Sequence, residues 1–214
     1  MILISEMANT RADQIREWRI SPRLMVLRDF LSDEECEHLI ALGHSRIKPS
    51  TTVDPDTGEL ILVDSRTSSG AYFTLGETPT VMVIEQRISE WSGLPVENGE
   101  GMQILNYQVG QGYMPHFDYF DPALKGSPTV LAYGGQRVMT CLMYLNNVEA
   151  GGETHFPEID KKITPVRGDA LLFYNVLPDG AIDPMSLHAS LPMLAGEKWV
   201  ATKWIRERAY RAPD

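Results

Sequence analysis

Cysteine is scarce: the 214 residues hold two, Cys36 and Cys141. A pair so far apart implies no disulfide framework, so a reducing compartment fits. Cys141, inside the apolar run 138–145, reads as a free buried thiol. Long hydrophobic runs are missing too. None approaches the roughly 18 residues needed to span a bilayer. The start, Met1-Ile-Leu-Ile-Ser-Glu-Met7, lacks a basic stretch and carries an acid at position 6, unlike a signal peptide. These features predict a cytoplasmic protein with no membrane partner. Positive charge is in deficit, with 19 Lys and Arg against 29 Asp and Glu and a net charge of −10. Non-specific nucleic-acid binding needs a basic surface, so nucleic acid is excluded as a partner, whereas a basic or neutral peptide is compatible. The chain has no internal repeat, low-complexity tract or dividing linker, and 43% of it is hydrophobic. That describes one globular domain with a sizeable core.

Along the chain, residues 1–22 read as a short arm or helix ahead of a single domain over 23–214. Residues 22–30 read as a strand. Ser32-Asp-Glu-Glu35 is a capping box opening a helix with Cys36, Leu39, Ile40 and Ile47 at helical spacing. His38 and His44, on or near this helix, read as surface or cap residues. From 48 to 70 the chain is rich in Thr, Ser, Asp and Gly around the turn Asp54-Pro-Asp-Thr-Gly58, composition that suits either a flap or an ordinary surface hairpin. Val81, Ile84, Ile88 and Trp91 mark a second helix, ended by Gly93-Leu-Pro95. After Gly99, the runs 102–109, 137–145, 163–166, 170–174, 185–190 and 198–205 are short strands between Gly/Pro/Asn/Asp loops. The fold class this predicts is mainly β: a sandwich or barrel of the jelly-roll, cupin-like kind, with the N-terminal helices packed on its outer face.

Chemistry enters at Tyr113-Met-Pro-His116-Phe-Asp118. Side chains at i and i+2 of an extended backbone share a face, so His116 and Asp118 converge on one point. They form part of a 2-His-1-carboxylate set, which binds non-haem Fe(II) and leaves positions open. Two later histidines could complete it. His188, in Ser186-Leu-His-Ala-Ser190, lies on a strand; His155 lies between a glycine pair and Pro157, which favours a turn, and ranks below it. In residues 198–205 strand alternation puts Lys198, Val200, Thr202 and Trp204 on one face. A lysine facing an apolar interior is costly unless a buried anion meets it. A dicarboxylate with one end on the metal would supply that anion; the alternative is an exposed lysine at a strand start.

These residues, with Gln103-Ile-Leu-Asn-Tyr107, Met143-Tyr-Leu-Asn-Asn147, Gly151-Gly-Glu-Thr154 and Arg167-Gly-Asp-Ala-Leu-Leu-Phe173, closely resemble the prolyl 4-hydroxylases, Fe(II)- and 2-oxoglutarate-dependent dioxygenases. The match is dense over about 100–207, the expected catalytic core, and thinner back to Arg66-Thr-Ser-Ser-Gly70. His155 departs from it, since relatives usually carry an apolar residue there. The resemblance implies a double-stranded β-helix holding iron by His116, Asp118 and His188. Lys198 would bind the distal carboxylate of 2-oxoglutarate, with Tyr107 and Thr140 as further donors. Tyr113, Arg66 and Trp204 would face a proline-containing peptide, with residues 48–70 and the loop after Asp118 closing over it. The implied reaction uses O2 to convert 2-oxoglutarate to succinate and CO2 and places a hydroxyl on prolyl C4, with ascorbate as reductant. Asp118 points to hydroxylation, because halogenating relatives carry a small residue there. Two other readings remain at this stage: the same chemistry on a free amino acid or another residue type, and a non-catalytic binding or oxygen-sensing module.

Overall fold

The computed structural model describes residues 13–212. Within them, two antiparallel sheets pack as a jelly-roll. The larger has eight strands, in spatial order Ile15–Ile20, Arg23–Leu27, Ala170–Tyr174, Arg137–Tyr144, Lys198–Arg206, Met102–Tyr107, Ser69–Phe73 and Lys48–Pro49. The smaller runs Lys161–Ile163, Thr154–Phe156, His188–Ser190, Tyr113–His116. Leu105, Tyr107, Phe173 and Val200 of the larger sheet pack against Phe156 and Ile163 of the smaller, filling the interior of the roll.

Lys198–Arg206 lies inside the larger sheet, and every one of its residues is buried. Covered on both faces, it buries Lys198, Thr202 and Lys203 along with its apolar residues. Lys198, Val200, Thr202 and Trp204 line the interior of the roll, whereas Trp199, Ala201 and Ile205 join the core under the helices. Lys203 shares that second face and makes a buried ion pair with Glu85 at 2.5 Å. It ties the sheet to the helix Pro79–Ser92.

Both expected helices form, although the first ends at His44 and leaves Ile47 beyond it, and they pack on the outer face of the larger sheet through Cys36, Leu39, Val81, Ile84 and Ile88. The capping box at Asp33–His44 is complete: Ser32 accepts from the Glu35 N–H, and the Glu35 carboxylate accepts from the Ser32 N–H. Pro79–Ser92 is capped by Thr78 and stops at Gly93, whose φ of 71° suits glycine. His38 bonds Thr78 and His44 stacks on Trp199.

Several segments depart from expectation: the strand expected over 163–166 runs Lys161–Ile163, and that expected over 22–30 covers Arg23–Leu27. Of the expected arm, residues 1–12 lie outside the described residues, but Ile15–Ile20 is an edge strand paired with Arg23–Leu27 and belongs to the sheet. Its alternation is hidden because Trp18 and Ile20 are both exposed, at 64% and 73%. The stretch around His155 is a strand, Thr154–Phe156, paired on both sides; the glycine turn lies just before it, at Gly151 and Gly152 with φ of 79° and 71°. Residues 185–190 are strand only from His188, because Pro184–Ser186 forms a turn capped by Asp183.

Residues 51–62 form a hairpin, Thr51–Val53 against Leu60–Leu62. Its turn is held by the Asp54 carboxylate, which accepts from the N–H groups of Asp56 and Thr57. The tip rests on the loop that follows Asp118: the Gly126 N–H donates to the Pro55 carbonyl at 2.9 Å. A Cβ on Gly126 would sit 2.5 Å from the Gly58 nitrogen, so this approach requires glycine.

Candidate active site

The smaller sheet brings the expected ligands together. His188 pairs directly with His116 across neighbouring strands. The strand bearing His116 ends there, and Asp118 follows in the next bend, so the set is closed by the loop rather than by the strand. His116 Nε2 lies 3.9 Å from Asp118 Oδ1, His188 Nε2 lies 3.7 Å from Asp118 Oδ2, and the three ligand atoms fall within 4.8 Å of one another.

The surroundings fix the chemistry of each donor. His116 Nδ1 donates to the Met114 carbonyl at 2.9 Å, and His188 Nδ1 donates to the Ser186 carbonyl at 3.0 Å. Each ring is thereby held in the tautomer that leaves Nε2 with a free lone pair, the form that binds a metal. Burial, helped by the nearby His188, pushes His116 down to about 3, so its ring is neutral at physiological pH. Burial opposes ionisation of Asp118, yet His188, His116, Arg137 and the Thr140 hydroxyl outweigh it and keep the carboxyl below its usual range. Two imidazoles with their Nε2 atoms turned toward one carboxylate on one side of a cavity fit a divalent iron with open positions.

Lys198 is 2% exposed and lines the same cavity as the three ligands. Its Nζ donates to the Gly152 carbonyl at 2.7 Å and to Ser190 Oγ at 2.5 Å, and it lies 4.4 Å from the centre of the Tyr107 ring. Among the described residues no carboxylate forms an ion pair with it. Burial pulls it down to about 7, against the pull of Glu153. The buried lysine facing an apolar interior is therefore present, with no paired carboxylate among the described residues. Tyr107, its partner on the adjoining strand, also lines the cavity.

Thr140 lines the cavity as expected, and its hydroxyl is engaged by the metal-ligand carboxylate. Its hydroxyl donates to Asp118 Oδ2 at 2.7 Å. A hydroxyl has one proton, and this one is committed to the carboxylate. His155 points away from the cavity: its strand neighbours Thr154 and Phe156 face the interior of the roll, and His155 instead approaches Asp160 at 3.5 Å.

Beyond the ligands the cavity opens into a mouth of about 180 Å³ lined by the hairpin (Thr51, Leu60), Phe117, the loop after Asp118 (Leu124), Tyr113 and Trp204. Tyr113 stacks on His116 with ring centres 3.5 Å apart. Arg66 stands 4.9 Å from the centre of the Tyr113 ring and anchors the hairpin, donating to the Thr51 carbonyl at 2.9 Å and to Gln103 Oε1 at 3.0 Å. Trp204 is buried, and its indole nitrogen has no acceptor among the described residues. Sequence reasoning missed Arg137, whose guanidinium lies 4.0 Å from the Trp204 ring centre and grips Glu100 through two bonds. Glu100 also accepts from Arg206. No spacing rule finds such a cluster, because its members come from distant segments. Ser190 was within reach, since it shares the parity of His188 on one strand.

The family model of the 2OG-Fe(II) oxygenase superfamily matches residues 102–206. Prolyl 4-hydroxylase 5 of Arabidopsis thaliana is 44% identical over 209 residues, covering 89% of this chain and 70% of the relative. Prolyl 4-hydroxylase 1 of the same plant is 46% identical over 204 residues, covering 88% and 70%. Among solved structures, the viral collagen prolyl hydroxylase of Paramecium Bursaria Chlorella virus-1, in its 2OG complex, is 30% identical with a TM-score of 0.68 over 86% of this chain and 95% of that one. A prolyl hydroxylase from Trichoplax adhaerens, at 18% identity and a TM-score of 0.63 over 94% and 90%, shares the fold. On relatives this similar over most of its length, the chain belongs to the prolyl 4-hydroxylase family of Fe(II)- and 2-oxoglutarate-dependent dioxygenases.

Proposed function

We propose that this protein hydroxylates peptidyl proline at C4, with His116, Asp118 and His188 holding Fe(II) and Lys198 receiving the distal carboxylate of 2-oxoglutarate. The observation that carries the assignment is Lys198: a buried amine on the ligands' cavity, paired with no carboxylate among the described residues. A charge-assisted bond to an incoming carboxylate is about twice as strong as a neutral one, and the burial of Lys198 strengthens it further.

Bound Fe(II) supplies the redox chemistry by which O2 cleaves 2-oxoglutarate to succinate and CO2, one oxygen atom going to succinate and the other to the prolyl C4. The chain's own residues bind, orient and exclude water. The backbone carbonyls of Met114 and Ser186 keep both imidazoles turned with Nε2 inward. Thr140 holds one oxygen of Asp118. Gly152 and Ser190 aim the Lys198 ammonium, and the Tyr107 phenol, kept protonated by burial, is a second donor for the same carboxylate.

The peptide would lie in the mouth against Tyr113 and Trp204, whose unmatched indole N–H is available to a peptide carbonyl. The hairpin and the loop after Asp118, joined at their tips, would cover it and keep water out. Ascorbate would serve as reductant, and the two buried free thiols support the cytoplasm as its compartment. Titration with 2-oxoglutarate of wild-type protein and of Lys198→Ala, both loaded with Mn(II) in place of iron, tests the assignment. Strong weakening in the variant supports it, and equal affinities would remove Lys198 from the site.

A further inference from the structure

Asn175 is fully buried behind the metal ligands. Its Nδ2 donates to Thr140 Oγ1 at 3.0 Å. Proton bookkeeping fixes the direction of this chain of bonds. The Asp118 carboxylate can only accept, so the single Thr140 proton points to it; Thr140 Oγ1 can then only accept from Asn175, which sets the amide orientation.

The backbone of Asn175 is pinned as well. Its N–H donates to the Val138 carbonyl at 3.0 Å, and its carbonyl accepts from the Asp183 N–H at 3.0 Å. From Asp183 a second chain leads to the other side of the site. The Asp183 carbonyl accepts from the Ser186 hydroxyl at 2.7 Å, and the Ser186 carbonyl holds His188 Nδ1. One residue thus reaches Asp118 through its side chain and His188 through its main chain.

We infer that Asn175 is a positioning residue for the metal centre, which acts through Thr140 to hold Asp118 Oδ2 and leave Oδ1 to the metal. The inference rests on the proposed metal site. Outer partners of metal ligands commonly contribute about 10- to 100-fold in metal affinity, because they fix ligand orientation before the metal arrives.

The test measures Mn(II) dissociation constants of the purified full chain by titration calorimetry, with circular dichroism to verify folding. Asn175→Leu and Asn175→Ala should each weaken Mn(II) binding by about 10- to 100-fold. Thr140→Val should do the same, whereas Thr140→Ser, which keeps the hydroxyl, should restore near-wild-type affinity. Because Asn175 acts through Thr140, the double variant Asn175→Ala/Thr140→Val should be no weaker than the worse single variant. Wild-type Mn(II) affinity in either folded Asn175 variant, or losses that add in the double variant, would overturn the inference. Failure of the wild-type protein itself to bind Mn(II), with His188→Ala no different, would overturn the metal-site reading and this inference with it.

Discussion

Replacing Lys198 separates binding from stability. Removing one member of a buried charged pair typically costs about 2–5 kcal/mol of binding. At about 1.4 kcal/mol per factor of ten, Lys198→Met should weaken 2-oxoglutarate binding by roughly 30-fold to several thousand-fold. No discount for solvent screening applies, since Lys198 is 2% exposed. Folding stability should change little, because the two bonds lost to Gly152 and Ser190 are offset by removal of a buried ammonium that no carboxylate among the described residues pairs with. The pH dependence adds a second signature. Burial holds the free ammonium near 7, so it deprotonates as pH rises through that value, while the bound carboxylate needs the charged form. The 2-oxoglutarate dissociation constant should be flat below pH 7 on account of this group and rise above it by up to about tenfold per unit. Lys198→Arg should bind poorly because its planar fork does not replace a compact ammonium, and it should lose this rise because guanidinium stays charged. Calorimetric titration of the Mn(II) protein between pH 6 and 9, beside thermal melts, reads all of these. Unchanged affinity in Lys198→Met, or binding lost only in step with melting temperature, would refute the reasoning.

Single replacements His116→Ala, Asp118→Ala and His188→Ala should each abolish 2-oxoglutarate turnover, measured as succinate release, while circular dichroism shows the fold intact. His155→Ala should retain turnover, since its side chain lies on the other face of the smaller sheet; the reverse result would reassign the ligand. Arg66→Ala should weaken peptide hydroxylation far more than peptide-independent decarboxylation, because it stands at the mouth and anchors the hairpin. Equal losses in the two assays would make it a purely structural residue. Glu85→Ala should destabilise the fold by about 3–5 kcal/mol in urea unfolding, because it strands Lys203 in the core. The paired replacement Glu85→Leu/Lys203→Met should recover most of that loss, and a mild single-variant effect would mean that the ion pair contributes little.

Local and periodic signals were the legible ones. The capping box at Ser32, the helix stop at Gly93 and the alternation that turns Lys198 inward each depend on residues a few positions apart, and the structure contains all three. The convergence of His116 and Asp118 also follows from short spacing, although a bend rather than a strand completes it. Contacts between distant segments were not legible. The Arg137–Glu100–Arg206 cluster joins three strands or loops, and Asn175 reaches Asp118 only because Phe173 lies opposite Thr140 in the larger sheet. The resemblance implies Thr140 as a cosubstrate donor, and no local signal shows that its proton is directed to Asp118. The edge strand Ile15–Ile20 escaped notice for a different reason: with much of both faces exposed, it carries little binary pattern.

The central claim is tested most directly by tandem mass spectrometry of a proline-peptide library incubated with the protein, Fe(II), 2-oxoglutarate, ascorbate and air. The account predicts a gain of one oxygen atom on proline, positioned at C4 by comparison with authentic 4-hydroxyproline, accompanied by one succinate per hydroxylation and absent from His188→Ala. Steady succinate release with no modified proline, or oxygen placed on another residue type, would contradict it.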